Sequence, residues 1–130
     1  MDIYIFMCEK ATELQKLWRP NYGHWYSPDG HEAQVICYPD TLTWCEDKNA
    51  TGLFSQGQLQ WMLQDEYRLK LAGNYQMFYQ FLRFIDDIKF NEYSRRQLWL
   101  MFVMMKKYNK CWNARIEDWV TVIKREVSNV

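Results

Sequence analysis

The sequence predicts a single compact α+β domain spanning residues 1–130, with about four helices, a small antiparallel β-meander and a buried central helix at residues 94–109. Three observations carry that prediction. Residues 98–105 are eight apolar side chains in a row, and a helix that is apolar all round must be buried all round. Other stretches repeat apolar residues at helical spacing, while residues 21–54 break into short alternating runs divided by turn chemistry. A chain of 130 residues has the size of one domain and can bury one real core. It carries no internal repeat, low-complexity tract or long linker.

The central helix has well-marked ends. Ser94 and Gln97 fit a capping box, in which each side chain satisfies a free backbone N–H of the other. Lys106 and Lys107 suit the negative end of the helix dipole, and Asn109 can adopt the left-handed conformation that stops a helix. The apolar run is far short of the ~20 residues needed to cross a bilayer, so no membrane partner is expected.

The remaining elements follow in chain order. Ile3, Met7, Ala11, Leu14 and Trp18 share one helical face, with Phe6 and Leu17 beside it; Asp2 can cap the start and Arg19-Pro20 ends the helix. The first five residues also alternate like a strand, so the helix is firm only over Glu9 to Trp18. Residues 24–26, 32–38 and 41–45 read as three strands of a meander. Ser27-Pro28-Asp29-Gly30 and Pro39-Asp40 supply the turns between them, and residues 46–49 form a polar loop. A second capping box, Ser55 with Gln58, opens a helix over 58–71, striped by Leu59, Met62, Leu63, Tyr67 and Leu71. Gly73 reads as its stop and Asn74 as the cap of the next helix, residues 75–88. There Phe78, Phe81, Leu82 and Ile85 form the stripe, widened by Met77, Tyr79 and Phe84. Residues 110–112 and 119–123 make a terminal hairpin, and residues 124–130 a polar end.

Sixteen basic and sixteen acidic residues cancel, so no overall field attracts or mimics nucleic acid. The distribution is uneven: residues 21–60 carry five acids and one lysine, and residues 94–130 carry eight bases and three acids. Two solvated faces that attract each other within the fold account for this most simply. The sharper alternative is that the basic third faces an acidic partner; for nucleic acid, Arg95, Arg96, Lys106, Lys107, Lys110, Arg115, Lys124 and Arg125 would supply the cations and Trp112 a stacking platform. Seven Trp, nine Tyr and seven Phe are a heavy aromatic load, and rings left at the surface are favoured contact residues.

Site chemistry is sparse. Cys8, Cys37, Cys45 and Cys111 are scattered with no C-x-x-C pair, and no secretory leader is apparent, so reduced thiols in a cytoplasm are expected. His24, His31, Cys37 and Cys45 are zinc-type ligands without knuckle spacing, so no metal is expected. Cys37 could meet His24 or His31 for thiolate catalysis, but no nucleophile motif surrounds it. Asp65-Glu66 and Asp86-Asp87 are adjacent pairs, which diverge on a helix. No glycine-rich phosphate loop is present, and no cofactor is expected. Met101, Met104 and Met105 read as core packing rather than an adaptable contact surface.

Residues 10–20, KATELQKLWRP, followed by Gly23-His24-Trp25-Tyr26, resemble the opening of a family of small proteins encoded in phages and prophages of Gram-positive bacteria. Gln58-Leu59-Gln60 is similar to a helix start in that family. The likeness resumes at SRRQLWLMFV, residues 94–103, and at residues 108–112 with Trp119-Val120. The chain departs from the family pattern where His24 replaces Asp, where Asn109 replaces Gly, and in a longer turn after Trp112. The resemblance implies a phage or prophage origin and a location in the bacterial host cytoplasm, and it implies no activity. The functional expectation is therefore a non-enzymatic accessory protein that binds a host or phage protein, including the anti-defence role of an anti-CRISPR-like inhibitor. The alternative is a nucleic-acid-binding module built on the basic C-terminal third. A small enzyme using Cys37 or a metal ranks last.

Overall fold

The computed structural model describes residues 3–48, 50–67, 73–88 and 92–122, and over them the chain is α+β. At its centre lies α7 (Arg95–Tyr108), in which Gln97 to Met104 are all buried. Both ends form as the sequence predicts. Ser94 Oγ accepts from the Gln97 amide at 3.2 Å, and Gln97 Oε1 accepts from the Ser94 amide at 2.7 Å. Asn109 stops the helix at φ 55°, ψ 43°. Its side chain also donates to the Val122 carbonyl at 2.7 Å, a bond that glycine could not make. Ser94→Ala is expected to cost about 1 kcal/mol in urea denaturation, the usual value of an N-cap hydroxyl.

The first helix is broken in two. α1 (Ile3–Lys10) and α2 (Thr12–Leu17) meet at Ala11, whose ψ of 66° is outside helical geometry. At the break the Cys8 carbonyl accepts from the Ala11 amide at 3.1 Å and from Gln15 Nε2 at 2.9 Å. Met7, Ala11, Leu14 and Trp18 of the expected face are buried, as are Tyr4, Ile5 and Cys8, while Ile3 and Leu17 are exposed. α2 ends at Leu17, one residue short of the expected end, because Trp18 is already extended at ψ 131° ahead of Arg19-Pro20.

The meander is corrected in one strand. β1 (Trp25–Ser27) pairs antiparallel with β2 (Gln34–Val35) and β3 (Thr51–Leu53), giving the order β2-β1-β3. Residues 41–45 are instead part of helix α3 (Pro39–Lys48). Thr-Leu-Thr-Trp alternates like a strand, but Pro39 suits the first helical turn, Asp40 favours the positive dipole end, and Leu42 and Cys45 stand at i, i+3 on the inner face. β3 takes the third place because Gly52 is held by a clamp. Gln15 Oε1 accepts from its amide at 2.8 Å and Gln15 Nε2 donates to its carbonyl at 2.9 Å. The Trp18 indole lies flat enough on Gly52 that an added Cβ would sit 2.4 Å from Trp18 Cδ2.

The second capping box forms at Ser55 and opens α4 (Gln56–Met62), which α5 (Gln64–Tyr67) follows after a break at Leu63. Leu71 and the expected end of that helix lie outside the described residues. Gly73 and Asn74 do not stop and cap; α6 (Gly73–Asp87) begins at Gly73. α4, α6 and α1 pack on α7, with Phe81 stacked on Trp99 at 3.8 Å and Phe102 edge-on to Phe81. The hairpin of β4 (Lys110–Asn113) and β5 (Asp118–Thr121) closes the domain. In its longer turn, Asn113 Oδ1 accepts from the amides of Arg115 and Ile116, and Glu117 takes φ 54°. Residues 124–130 lie outside the described residues. No helix among the described residues is long and apolar enough to cross a membrane.

Candidate functional site

The basic residues singled out from sequence do not form one continuous surface. Arg95 and Arg96 are exposed at the start of α7, with the Arg96 guanidinium 5.0 Å from the centre of the Tyr4 ring. Lys106 is exposed near Phe102, and Arg115 is exposed on the hairpin turn. Lys107 turns inward and donates to the Met62 carbonyl at 3.3 Å, at the end of α4. Lys110 is paired with Glu13 on α2. Trp112 is in the core, 5.1 Å from the Trp119 ring and edge-on to Phe6, so it offers no open face for stacking. The register explains this: Trp112 and Trp119 are directly opposed across the hairpin and share its inner face, where Trp119 Nε1 donates to the Met7 carbonyl.

The Lys110–Glu13 pair joins α2 to the hairpin, not the acidic block of residues 21–60 to the basic third. Burial pushes the Glu13 carboxyl up, but the hydrogen bond and charge of Lys110 outweigh it, so its pKa lies below the ordinary 4.5. With the folded value depressed, the pair's stabilisation is present above the ordinary pKa and is lost as pH falls through the folded one. Glu13→Gln is therefore expected to lower the urea midpoint at neutral pH, and the gap to the parent to close as pH drops below 4.5. A gap unchanged at acidic pH would contradict that pairing.

The four zinc-type residues have different surroundings. Trp18 Nε1 donates to His24 Nδ1 at 3.2 Å, and burial pushes the His24 pKa below the ordinary imidazole value. His31 and Cys37 are exposed on loops, and Cys45 is buried on α3. Burial, with the neighbouring Glu46 charge, pushes the Cys45 thiol up, which suppresses thiolate at neutral pH. Among the described residues, no three His, Cys, Asp or Glu side chains converge as a metal site. Asp86 and Asp87 are exposed on α6. Met101 and Met104 are buried in the core and Met105 is half-buried.

What the structure adds is an aromatic ridge on α6. The helix buries Met77 and Phe81 and half-buries Phe84 and Ile85. That leaves Tyr75 73%, Phe78 43%, Tyr79 51% and Leu82 58% exposed. The correction to the expected stripe is specific: Phe78 and Leu82 belong to the outer face. At 100° per residue, the apolar arc of α6 runs further round the helix than one core contact can cover. The ridge residues fall at i, i+3, i+4 and i+7, so they line up as neighbours on one face. Phe78 is braced edge-on against Trp99 at 5.6 Å, and Arg83 lies over the Tyr79 ring at 6.0 Å. The ridge is thus anchored at its base and carries a cation on its flank.

The fold and this surface define a small α+β domain with an exposed, largely aromatic ridge on α6. Compared with models of known protein families, with curated proteins and with solved structures, the chain finds no match in any of the three.

Proposed function

We propose that this chain is a non-enzymatic accessory protein of phage or prophage origin that works by binding a host or phage protein in the bacterial cytoplasm. The single observation that carries the binding reading is the α6 ridge. Tyr75, Phe78, Tyr79 and Leu82 are large, aligned and exposed. Such rows are the anchors by which a helix face enters a partner's groove, and contiguous exposed apolar surface on a small protein marks contact sites. Tyr is enriched in such contacts because its ring is rigid and its hydroxyl tolerates a wet rim. The phage origin is supported by the sequence blocks, and it favours inhibition of a host defence enzyme as the outcome of binding.

The test is affinity capture of the tagged chain from infected or lysogenic host cells, with and without nuclease, read by mass spectrometry. A stoichiometric protein partner that survives nuclease is expected. The second reading, nucleic-acid binding through Arg95, Arg96, Lys106 and Arg115, is favoured by the exposure of those four side chains. It requires that the captured material be lost on nuclease treatment and that affinity fall steeply with salt.

A further inference from the structure

A second surface, sharing no residue with α6, lies between the end of α2, α4 and the last turn of α7. It is an open groove of about 850 Å³, within the roughly 300–1,000 Å³ of sites that take small ligands or side chains. Leu17, Trp18 and Met62 give it an apolar lining, and Trp61, which is 70% exposed, also lines it. The charged residues among its described lining are Arg19 and Lys107, both positive. Each is held in place by backbone carbonyls: Arg19 Nη1 donates to the carbonyls of Lys16 and Trp18, and Lys107 Nζ donates to that of Met62. Each keeps further N–H donors for a ligand. His24 also lines the groove, and because its Nδ1 accepts from Trp18, a neutral ring carries its proton on Nε2 and presents a donor.

We propose that this groove docks a peptide segment of a partner protein in which a bulky apolar side chain stands close to an Asp or Glu. The apolar side chain packs on Leu17 and Met62 under the Trp61 ring, and the carboxylate meets Arg19, Lys107 and the imidazole N–H. A single-stranded nucleic acid fits less well. It needs a row of cations that tracks successive phosphates, and here the two cations flank a lining that is mostly apolar. Arginine held by its neighbours favours a planar, bidentate carboxylate.

The experiment is selection of short random displayed peptides on the full chain, followed by fluorescence anisotropy of the enriched peptides. Enriched sequences are expected to carry Asp or Glu within a few residues of Leu, Phe or Trp. Arg19→Glu and Trp61→Ala should each weaken them about tenfold or more, while Tyr38→Ala, outside the groove, should leave them unchanged. Both groove substitutions fall on exposed side chains, and circular dichroism checks that the variants remain folded. Enriched peptides without acidic residues, binding indifferent to Arg19 and Trp61, no enrichment at all, or an oligothymidylate that displaces the peptides would each overturn the proposal. Failure here leaves the α6 ridge untouched, because that surface is read by its own variants.

Discussion

Gly52→Val is expected to destabilise the domain by about 3 kcal/mol or more, the upper range for forcing atoms into a packed site. That is a large part of the roughly 5–15 kcal/mol that holds a domain together. Gly52 sits in β3 without a positive φ, so the requirement is for space alone. A Cβ there would stand 2.4 Å, 2.7 Å and 2.8 Å from three atoms of the Trp18 indole, all closer than van der Waals contact permits. Trp18 has no easy retreat. It is buried, its Nε1 is bonded to His24, and the residues that follow leave the helix at Arg19-Pro20. Moving β3 instead would break both arms of the Gln15 clamp. The check is a double-mutant cycle with Trp18→Ala, read by urea denaturation. The cost of Gly52→Val should fall sharply once the indole is gone. Additive costs would show that Gly52 matters for some other reason.

The second large effect is on binding. Tyr79→Glu with Leu82→Lys is expected to reduce partner capture about a thousandfold, since two buried anchors worth about 2 kcal/mol each together contribute about 4 kcal/mol. The substitutions are chosen to spare the helix. Glu at 79 precedes Arg83 by four residues and Lys at 82 precedes Asp86 by four, so both new charges gain an i, i+4 partner. Net charge is unchanged, both sites are more than half exposed, and stability should stay within about 0.5 kcal/mol of the parent. Retained capture by a folded double variant would remove the ridge from the binding surface.

The legibility of this chain follows local chemistry. α7 could be read because its burial is apolar on every side and its ends are marked by Ser94, Gln97 and Asn109. Both capping boxes and the terminal hairpin were legible for the same reason: the residues that specify them lie within a few positions of each other. α3 was not, because Thr41 to Trp44 alternate as a strand would while packing of Leu42 and Cys45 on the core selects a helix. The Gly52 clamp was hidden because it joins residues 37 positions apart, Gln15 and Gly52. The site was half legible. The aromatic load pointed to exposed rings, and the i, i+3, i+4, i+7 spacing of Tyr75, Phe78, Tyr79 and Leu82 was open to view. Which side of so wide an apolar arc faces α7 is a tertiary matter that periodicity does not decide. Trp112 was misread as a platform because its partner across the hairpin, Trp119, fixes the inward face only once the register is known.

Hydroxyl-radical footprinting of the captured complex against the free chain separates the surfaces side chain by side chain. If the α6 ridge is the contact, Tyr75, Phe78 and Tyr79 are oxidised in the free chain and protected in the complex, while Tyr22 and Tyr38 react equally in both. If those three rings stay equally reactive when the partner is bound, the ridge is not the binding surface and the proposed mode of action is wrong.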